Sequence, residues 1–346
     1  MPARSLVHVV VPDAVDDPTR PSGGNVYDRR VCDLLPDLGW PVHEHAVPDA
    51  WPQLGAAGRR ALAAVVSRIP DGALVLVDGL IAETGAPVLV SMARRSCLVV
   101  LVHSVPADAA AADALAAARA VIATSSWLRR ELVRRYALPA GAVRVAEPGV
   151  EVGPVAAGTA RGGELLCVGS VAPHKGHDVL LAALARLPQL QWHCRCVGSL
   201  DHDASYAAAM CRVAQGSGVA DRLRFTGPRT GAQLEAAFGS ADVLVHPARV
   251  EGYGMVVVEA LAHGLPVITT TAGGLPDALG ATPDGERPGL LVPPGDPTAL
   301  AGALSAWLTD RDLRDRLRRA ACGRRAELPS WSVTAEQVAS VLRELR

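Results

Sequence analysis

Two glutamates eight positions apart, Glu251 and Glu259, bracket a Gly-x-Gly turn in the stretch HPARVEGYGMVVVEALAHGLPVITTTAGGLPD. A carboxylate accepts hydrogen bonds only, so it can take two from a vicinal diol. The pattern predicts a helix starting near Met255, beside Gly252 and Gly254. The first N–H groups of such a helix have no intrahelical partner and can receive phosphate or sugar oxygens. Glu259 then lies about one turn inside the helix, and Glu251 precedes the turn and faces the same cleft. In isolation the pair also fits a dipole-favoured acid beside a solvated glutamate. The glycine-rich setting favours the binding reading.

Other residues invite the same test. Lys and Arg together number 34, yet Lys175 is the single lysine and Asn25 the single asparagine. Asp201-His202-Asp203 offers an Asp-x-Asp pair that could hold a divalent ion. It follows a strand and opens a helix at about Ala204, so N-capping explains it. His193, Cys194 and Cys196 alternate along QWHCRCVG, which sends neighbours to opposite faces of a strand and argues for ordinary packing over metal binding. The sequence thus names no metal site. Arg129, Arg130, Arg134 and Arg135 make a basic helix, read as a solvated face in preference to a peripheral membrane contact.

These residues need a frame to hold them. LVHVVVP, ALVLVDG, CLVVLVHS and AVIATSS are apolar runs that end in polar or glycine residues, with helical stretches such as AAADALAAARA between them. A helix is expected over Val26 to Leu38, after a Pro/Asp/Gly loop running to Gly24. Continuous β-branched runs separated by helices predict a parallel sheet covered on both faces. Ligands of such sheets bind at the carboxyl ends of the strands, where Asp78, His103 and Thr124 fall. EVGPVAAGTARGG is small and flexible in composition, and residues 153–163 are taken as a linker. A second series follows: ELLCVGS, WHCRCVG, RLRFTG, DVLVHP, PVITTT and GLLVPPGD. The expected fold is therefore α/β, with two Rossmann-like domains facing across a cleft: residues 1–152, then 164–328. The last helix, within 329–346, carries Trp331, Val338 and Leu342 on a helical period and is expected to pack back towards the first domain.

The Glu-x7-Glu stretch resembles the signature of the retaining glycosyltransferases of family 4, which have the GT-B fold. VGSVAPHKGHDVLLAALARL is similar to that family's phosphate loop and helix, FTGPRTGAQLEAAFGSADVLVHPA to its base-binding segment, and GLLVPPGDPTALAGAL to the strand and helix after the donor site. PSGGNVYDRRVCDLLPDLGWPVHEHAV and VIATSSWLRRELVRRY resemble parts of its first domain, more loosely. The resemblance covers nearly the whole chain. It implies that Glu259 holds the donor ribose, Glu251 the hydroxyls of the transferred sugar, and that Gly254 and Met255 offer backbone N–H groups. It further implies that Lys175 neutralises the diphosphate, that Gly23 and Gly24 let the backbone approach the β-phosphate, and that His103 sits near the reacting centre. Ser170 stands where many members have an arginine, and His174, Arg229 or Arg249 could supply the missing cation. Catalytic candidates are thus His103, Lys175 and Glu251, and donor-binding candidates Gly23, Gly24, Ser170, Lys175, Gly254, Met255 and Glu259.

The expected activity is transfer of a sugar from a nucleoside diphosphate sugar to a hydroxyl-type acceptor, with retention, no metal and no resident cofactor. Epimerisation or hydrolysis of a nucleotide sugar on the same fold is the alternative, and a non-catalytic nucleotide-sugar-binding module is another. A two-domain nicotinamide dehydrogenase would need Gly-x-Gly-x-x-Gly after a first strand, and the chain has no such run. The net charge of −1 gives no basic field for nucleic acid. No apolar run reaches the roughly 18–20 residues of a membrane span. The seven scattered cysteines do not read as a disulfide framework, and a cytoplasmic location is the default expectation.

Overall fold

A computed structural model of the chain describes residues 6–48, 54–106 and 109–346. Residues 1–5, at the head of the expected first domain, lie outside the described residues. Two compact units emerge, one of residues 1–17, 23–149 and 329–346 and the other of residues 18–22 and 150–328.

The first unit alternates strand and helix from its start. It runs β1 (Val7–Pro12), α1 (Gly23–Leu34), β2 (Val42–Val47), α2 (Ala56–Ser67) and β3 (Leu74–Asp78). There follow α3 (Gly79–Thr84), α4 (Ala86–Ala93), β4 (Cys97–Val102), α5 (Ala111–Ala117), β5 (Ala120–Ala123), α6 (Ser126–Tyr136) and β6 (Val143–Val145). The six strands form one parallel sheet in the order β2-β1-β3-β4-β5-β6. Its central strands are buried along nearly their whole length, which is why they read as unbroken apolar runs.

The second unit repeats the scheme. Its elements are β7 (Glu164–Val168), α7 (His177–Leu184), β8 (His193–Val197), α8 (Ala204–Gly216), β9 (Leu223–Phe225) and α9 (Gly231–Gly239). Then come β10 (Val243–His246), α10 (Met255–Ala262), β11 (Val267–Thr270), α11 (Leu275–Leu279), β12 (Gly289–Val292), α12 (Pro297–Thr309) and α13 (Arg311–Arg325). Its parallel sheet has the order β12-β11-β10-β7-β8-β9. Trp192 and Trp307 are fully buried in its core, and each indole N–H is satisfied, donating to Leu187 O at 3.1 Å and Gly162 O at 2.7 Å.

Three local outcomes differ from, or add to, the sequence reading. The helix expected over Val26 to Leu38 begins earlier, at Gly23, and stops at Leu34, with Pro36–Leu38 forming a separate 3-10 turn. Pro36 has no N–H to continue the ladder and clashes with the preceding turn. Residues 153–163 are hydrogen-bonded to the second unit: Ala156 N donates to His263 O at 2.9 Å and Thr159 Oγ1 to Asp242 Oδ2 at 2.6 Å. The fully buried Asp242 carboxylate also accepts from Glu164 N and pairs with Arg318. The last helix, α14 (Trp331–Glu344), belongs to the first unit, where Thr334 Oγ1 donates to Glu147 O at 2.7 Å.

Candidate functional site

In the second unit the loops at the carboxyl ends of β7 and β10 bring Lys175, His246 and Glu251 together. Lys175 closes a 3-10 turn, Pro173–Lys175, and Gly176 turns the chain into α7 at φ 74°. A Cβ at Gly176 would run into the carbonyl oxygen of Pro247, so only glycine fits there. Lys175 Nζ lies 2.6 Å from Glu251 Oε2, and His246 Nε2 lies 3.1 Å from the same oxygen. Burial alone would raise the Glu251 carboxyl. The Lys175 charge and the His246 hydrogen bond overcome it and hold the group well below the usual carboxylate range.

Glu251 is fixed through its backbone as well. Gly274 N donates to Glu251 O at 3.1 Å, and Gly273, at φ 59°, presses so closely on that carbonyl that a side chain there would collide with it. Gly254 caps α10 at φ 107° with Leu275 packed over it, leaving 2.6 Å to where a Cβ would stand. The first-turn N–H groups of α10, beginning with half-buried Met255, point out of the helix end. Glu259 lies one turn further in, half-buried, and burial pushes its pKa to about 7, with Glu235 adding to the rise and His263 opposing it.

Ser170 follows β7 and is half-buried. Of the three residues that could replace an arginine there, His174 is held at about 4, by burial first and then by Lys175, so it carries no charge at neutral pH. Arg249 is committed to Asp178 by two bonds of 2.7 and 2.5 Å. Arg229 is exposed and donates to Gln233 Oε1 at 2.9 Å, and among the described residues it has no carboxylate partner. Asp203 accepts from Tyr206 N at 3.0 Å as the N-cap of α8.

In the first unit, Gly23 and Gly24 are the opening residues of α1 rather than part of a loop, and neither has a positive φ. A Cβ at position 24 would stand 3.1 Å from the His103 ring, a tight contact that the ring would have to ease by a few tenths of an ångström. His103 follows β4 and binds two buried carboxylates through Nε2, Asp28 Oδ1 at 2.9 Å and Asp78 Oδ2 at 3.4 Å. Burial opposes a charge on this ring, yet the two acids raise it to about 10. Burial raises Asp28 to about 7 against the pull of His103. For Asp78 burial pushes upward too, but His103 and the Leu80 N–H, at 2.7 Å, lower it. Asp28 and His246 were not singled out in the sequence. Asp28 sits four residues past Gly24 on the buried face of α1, and His246 ends a strand, the position that had pointed to His103.

Residues 161–324 match the family described as Glycosyl transferases group 1. The chain is 36% identical over 246 residues to a D-inositol 3-phosphate glycosyltransferase of Streptomyces avermitilis, covering 66% of this chain and 52% of that one. It is 32% identical to the protein of the same description from Corynebacterium jeikeium, covering 62% of this chain and 55% of the relative. The chain thus spans about half the length of the curated relatives it matches. Among solved structures, sucrose-phosphate synthase from Thermosynechococcus elongatus superposes with a TM-score of 0.81 at 24% identity, covering 99% of both chains. Anabaena HepE, solved in complex with UDP and glucose, gives 0.76 at 20% identity, over 97% of this chain and 99% of that one. No helix among the described residues is long and apolar enough to cross a membrane. The chain therefore has the two-sheet GT-B glycosyltransferase fold, and its residues 161–324 match the group 1 glycosyl transferase family.

Proposed function

We propose that this protein transfers a glycosyl group from a nucleoside diphosphate sugar to a hydroxyl acceptor, with retention of configuration and without a resident cofactor or catalytic metal. The observation that carries this reading is the Lys175–Glu251 ion pair, 2.6 Å long, set beside the glycine-capped N-terminus of α10. In this reading Glu259 accepts the ribose hydroxyls, and the amides of Gly254 and Met255 meet sugar or phosphate oxygens. Diphosphate oxygens draw Lys175 Nζ from Glu251, freeing that carboxylate for the hydroxyls of the sugar. As the bond from the anomeric carbon to phosphate breaks, charge gathers on the diphosphate. A lysine held at that spot stabilises it more in the transition state than in the ground state. Gly23, Gly24 and His103 are assigned to the same reaction, His103 as a cationic hydrogen-bond donor. Ser170 lies in the loop that carries Lys175, and Arg229 is the cation assigned to make up for the missing arginine. HepE, which holds UDP and glucose, and the D-inositol 3-phosphate glycosyltransferases support the donor class and a polyol acceptor.

The test is release of nucleoside diphosphate from UDP-, GDP- and ADP-sugars, with and without a panel of hydroxyl acceptors that includes D-inositol 3-phosphate. Release that depends on acceptor, with a product whose anomeric coupling matches the donor by NMR, is the expected result. Equal release without acceptor would make it a hydrolase, and an isomerised donor an epimerase. Binding without turnover of any donor would leave a nucleotide-sugar-binding module.

A further inference from the structure

Three of the chain's ten histidines meet at one corner of the first sheet. His43 and His45 alternate along β2, so both project from the same face of that strand. The parallel register sets His8 of β1 opposite His43. The His8 and His45 rings stack with centroids 5.2 Å apart, and those of His43 and His45 stack at 4.5 Å. His8 Nδ1 and His45 Nε2 are 2.9 Å apart, and one nitrogen from each of the three rings lies within 4.8 Å of the others.

We propose that His8, His43 and His45 form a three-imidazole site for a divalent transition-metal ion of the zinc, nickel or copper type. Zinc–nitrogen bonds of 2.0–2.1 Å place two tetrahedral ligand nitrogens about 3.3 Å apart. The His8–His45 pair opens by a few tenths of an ångström to reach that, and the third ring swings inward. His43 is free to do so, because it is exposed on the edge strand of the sheet. Binding at both paired nitrogens replaces one N–H···N bond with two metal bonds, and the displaced ring proton moves to the other nitrogen of its own imidazole. Glu44, between the two β2 histidines, is not a fourth ligand: it projects from the other face and pairs with Arg29 at 2.7 Å. Water completes the shell. The exposure of His43 gives an ion a route in from solvent. Of the two other groups of this kind among the described residues, Cys167, His177 and Cys196 lie closed in the core of the second unit, and Asp28, Asp78 and His103 are joined to one another through the His103 ring.

The test is titration of the reduced full chain with Zn2+ alone, in competition with a chromophoric chelator, alongside X-ray absorption at the zinc edge. One equivalent should bind in a shell of nitrogen and oxygen. His43→Ala and His45→Ala, both on the accessible side of the strand, should each weaken binding at least tenfold while keeping the wild-type circular dichroism. Cys167→Ser should leave it unchanged. Wild-type affinity in both histidine variants, or sulfur in the zinc shell, would overturn the proposal. If either variant fails to fold, His43→Gln replaces it under the same criterion, and no saturable binding by the wild type overturns the site outright.

Discussion

Lys175 Nζ lies 2.6 Å from Glu251 Oε2, and neither side chain is more than about a fifth exposed. The chain's single lysine and the first glutamate of the Glu-x7-Glu stretch therefore hold one another in an ion pair. Lys175→Ala should lower kcat by about a hundredfold to a thousandfold, the usual loss when one preorganised electrostatic donor is removed, and weaken nucleoside diphosphate binding much less. Lys175→Arg should recover part of the rate, since its planar fork cannot occupy the site of a compact ammonium. Single-turnover rates at saturating donor decide it, and a wild-type rate in Lys175→Ala would remove the lysine from the phosphate site.

Glu259 should link nucleotide binding to protonation. Its pKa near 7, raised chiefly by burial, leaves much of it protonated in the free protein at neutral pH. The ribose hydroxyls need the carboxylate as acceptor. Affinity should therefore rise with pH through about 7, and binding near that pH should release a proton. The raised folded value also means that stability falls as pH climbs from the ordinary carboxylate pKa through about 7, and bound nucleotide should offset that fall. Glu259→Gln should abolish the glutamate's share of the proton release and weaken binding by about 1.5–3 kcal/mol, the worth of hydrogen bonds to a charged group. Calorimetry in buffers of different ionisation enthalpy measures both.

His103 should titrate near pH 10, as a cation between Asp28 and Asp78. Asp28→Asn removes one carboxylate and should bring the imidazole pKa down by about 1–3 pH units, readable by NMR without any substrate. Both His103 and Asp28 have folded pKa values above their unfolded ones. The stability they contribute is present at low pH and lost as pH rises, through about 7 for Asp28 and about 10 for His103. His103→Ala should keep nucleoside diphosphate affinity and lose transfer. An imidazole that titrates at its ordinary pKa in the wild type would refute the assignment of His103 as a cation.

The two sheets were legible because both consist of buried parallel strands, which appear in sequence as apolar runs such as Leu74–Asp78 and Cys97–Val102. The start of α10 was legible for a similar reason, since Gly254 at φ 107° is a backbone requirement written in one letter. Groups joined through tertiary contacts were harder to see. Asp28 meets His103 across 75 positions, and His8 meets His45 across 37, distances over which no local period operates. The Arg249–Asp178 pair was hidden likewise, which is why the sequence left Arg249 open as a phosphate cation. Gly23 and Gly24 were read as the end of a Pro/Asp/Gly loop, and in the structure they open α1, with Gly24 packed beside the His103 ring.

Asp203 should act as a helix cap in any measurement that separates stability from metal dependence. Its carboxylate accepts from Tyr206 N at 3.0 Å and Ser205 Oγ at 2.8 Å. Asp203→Ala should cost about 0.5–2 kcal/mol in denaturant unfolding and leave turnover close to wild type. Activity should also survive EDTA, even where the chelator strips an ion from the His8, His43 and His45 corner. Loss of activity with EDTA, restored by manganese and absent in Asp203→Ala, would give the Asp-x-Asp pair a catalytic metal.

Trp331 should anchor the end of the chain to the first unit. The chain returns there after residue 328, and α14 lays the Trp331 indole edge-on to Tyr27, with ring centroids 5.8 Å apart. Gly149 lies so close to the Trp331 backbone that any side chain at 149 would collide with it. The Tyr27 hydroxyl donates to Ala146 O at 3.0 Å and Thr334 Oγ1 to Glu147 O at 2.7 Å, so the strand-end segment, α1 and α14 share one packed contact. Truncating a buried Trp to Ala removes its transfer free energy and leaves a cavity, together about 3–5 kcal/mol. Trp331→Ala should therefore speed amide hydrogen exchange in α1 and α14, which lose their common partner, while α12 and α13 of the second unit keep their protection. Gly149→Ala should produce the same pattern by the opposite cause, crowding instead of a cavity. Unchanged exchange in α1 in both variants would mean that the last helix adds nothing to the stability of the first unit.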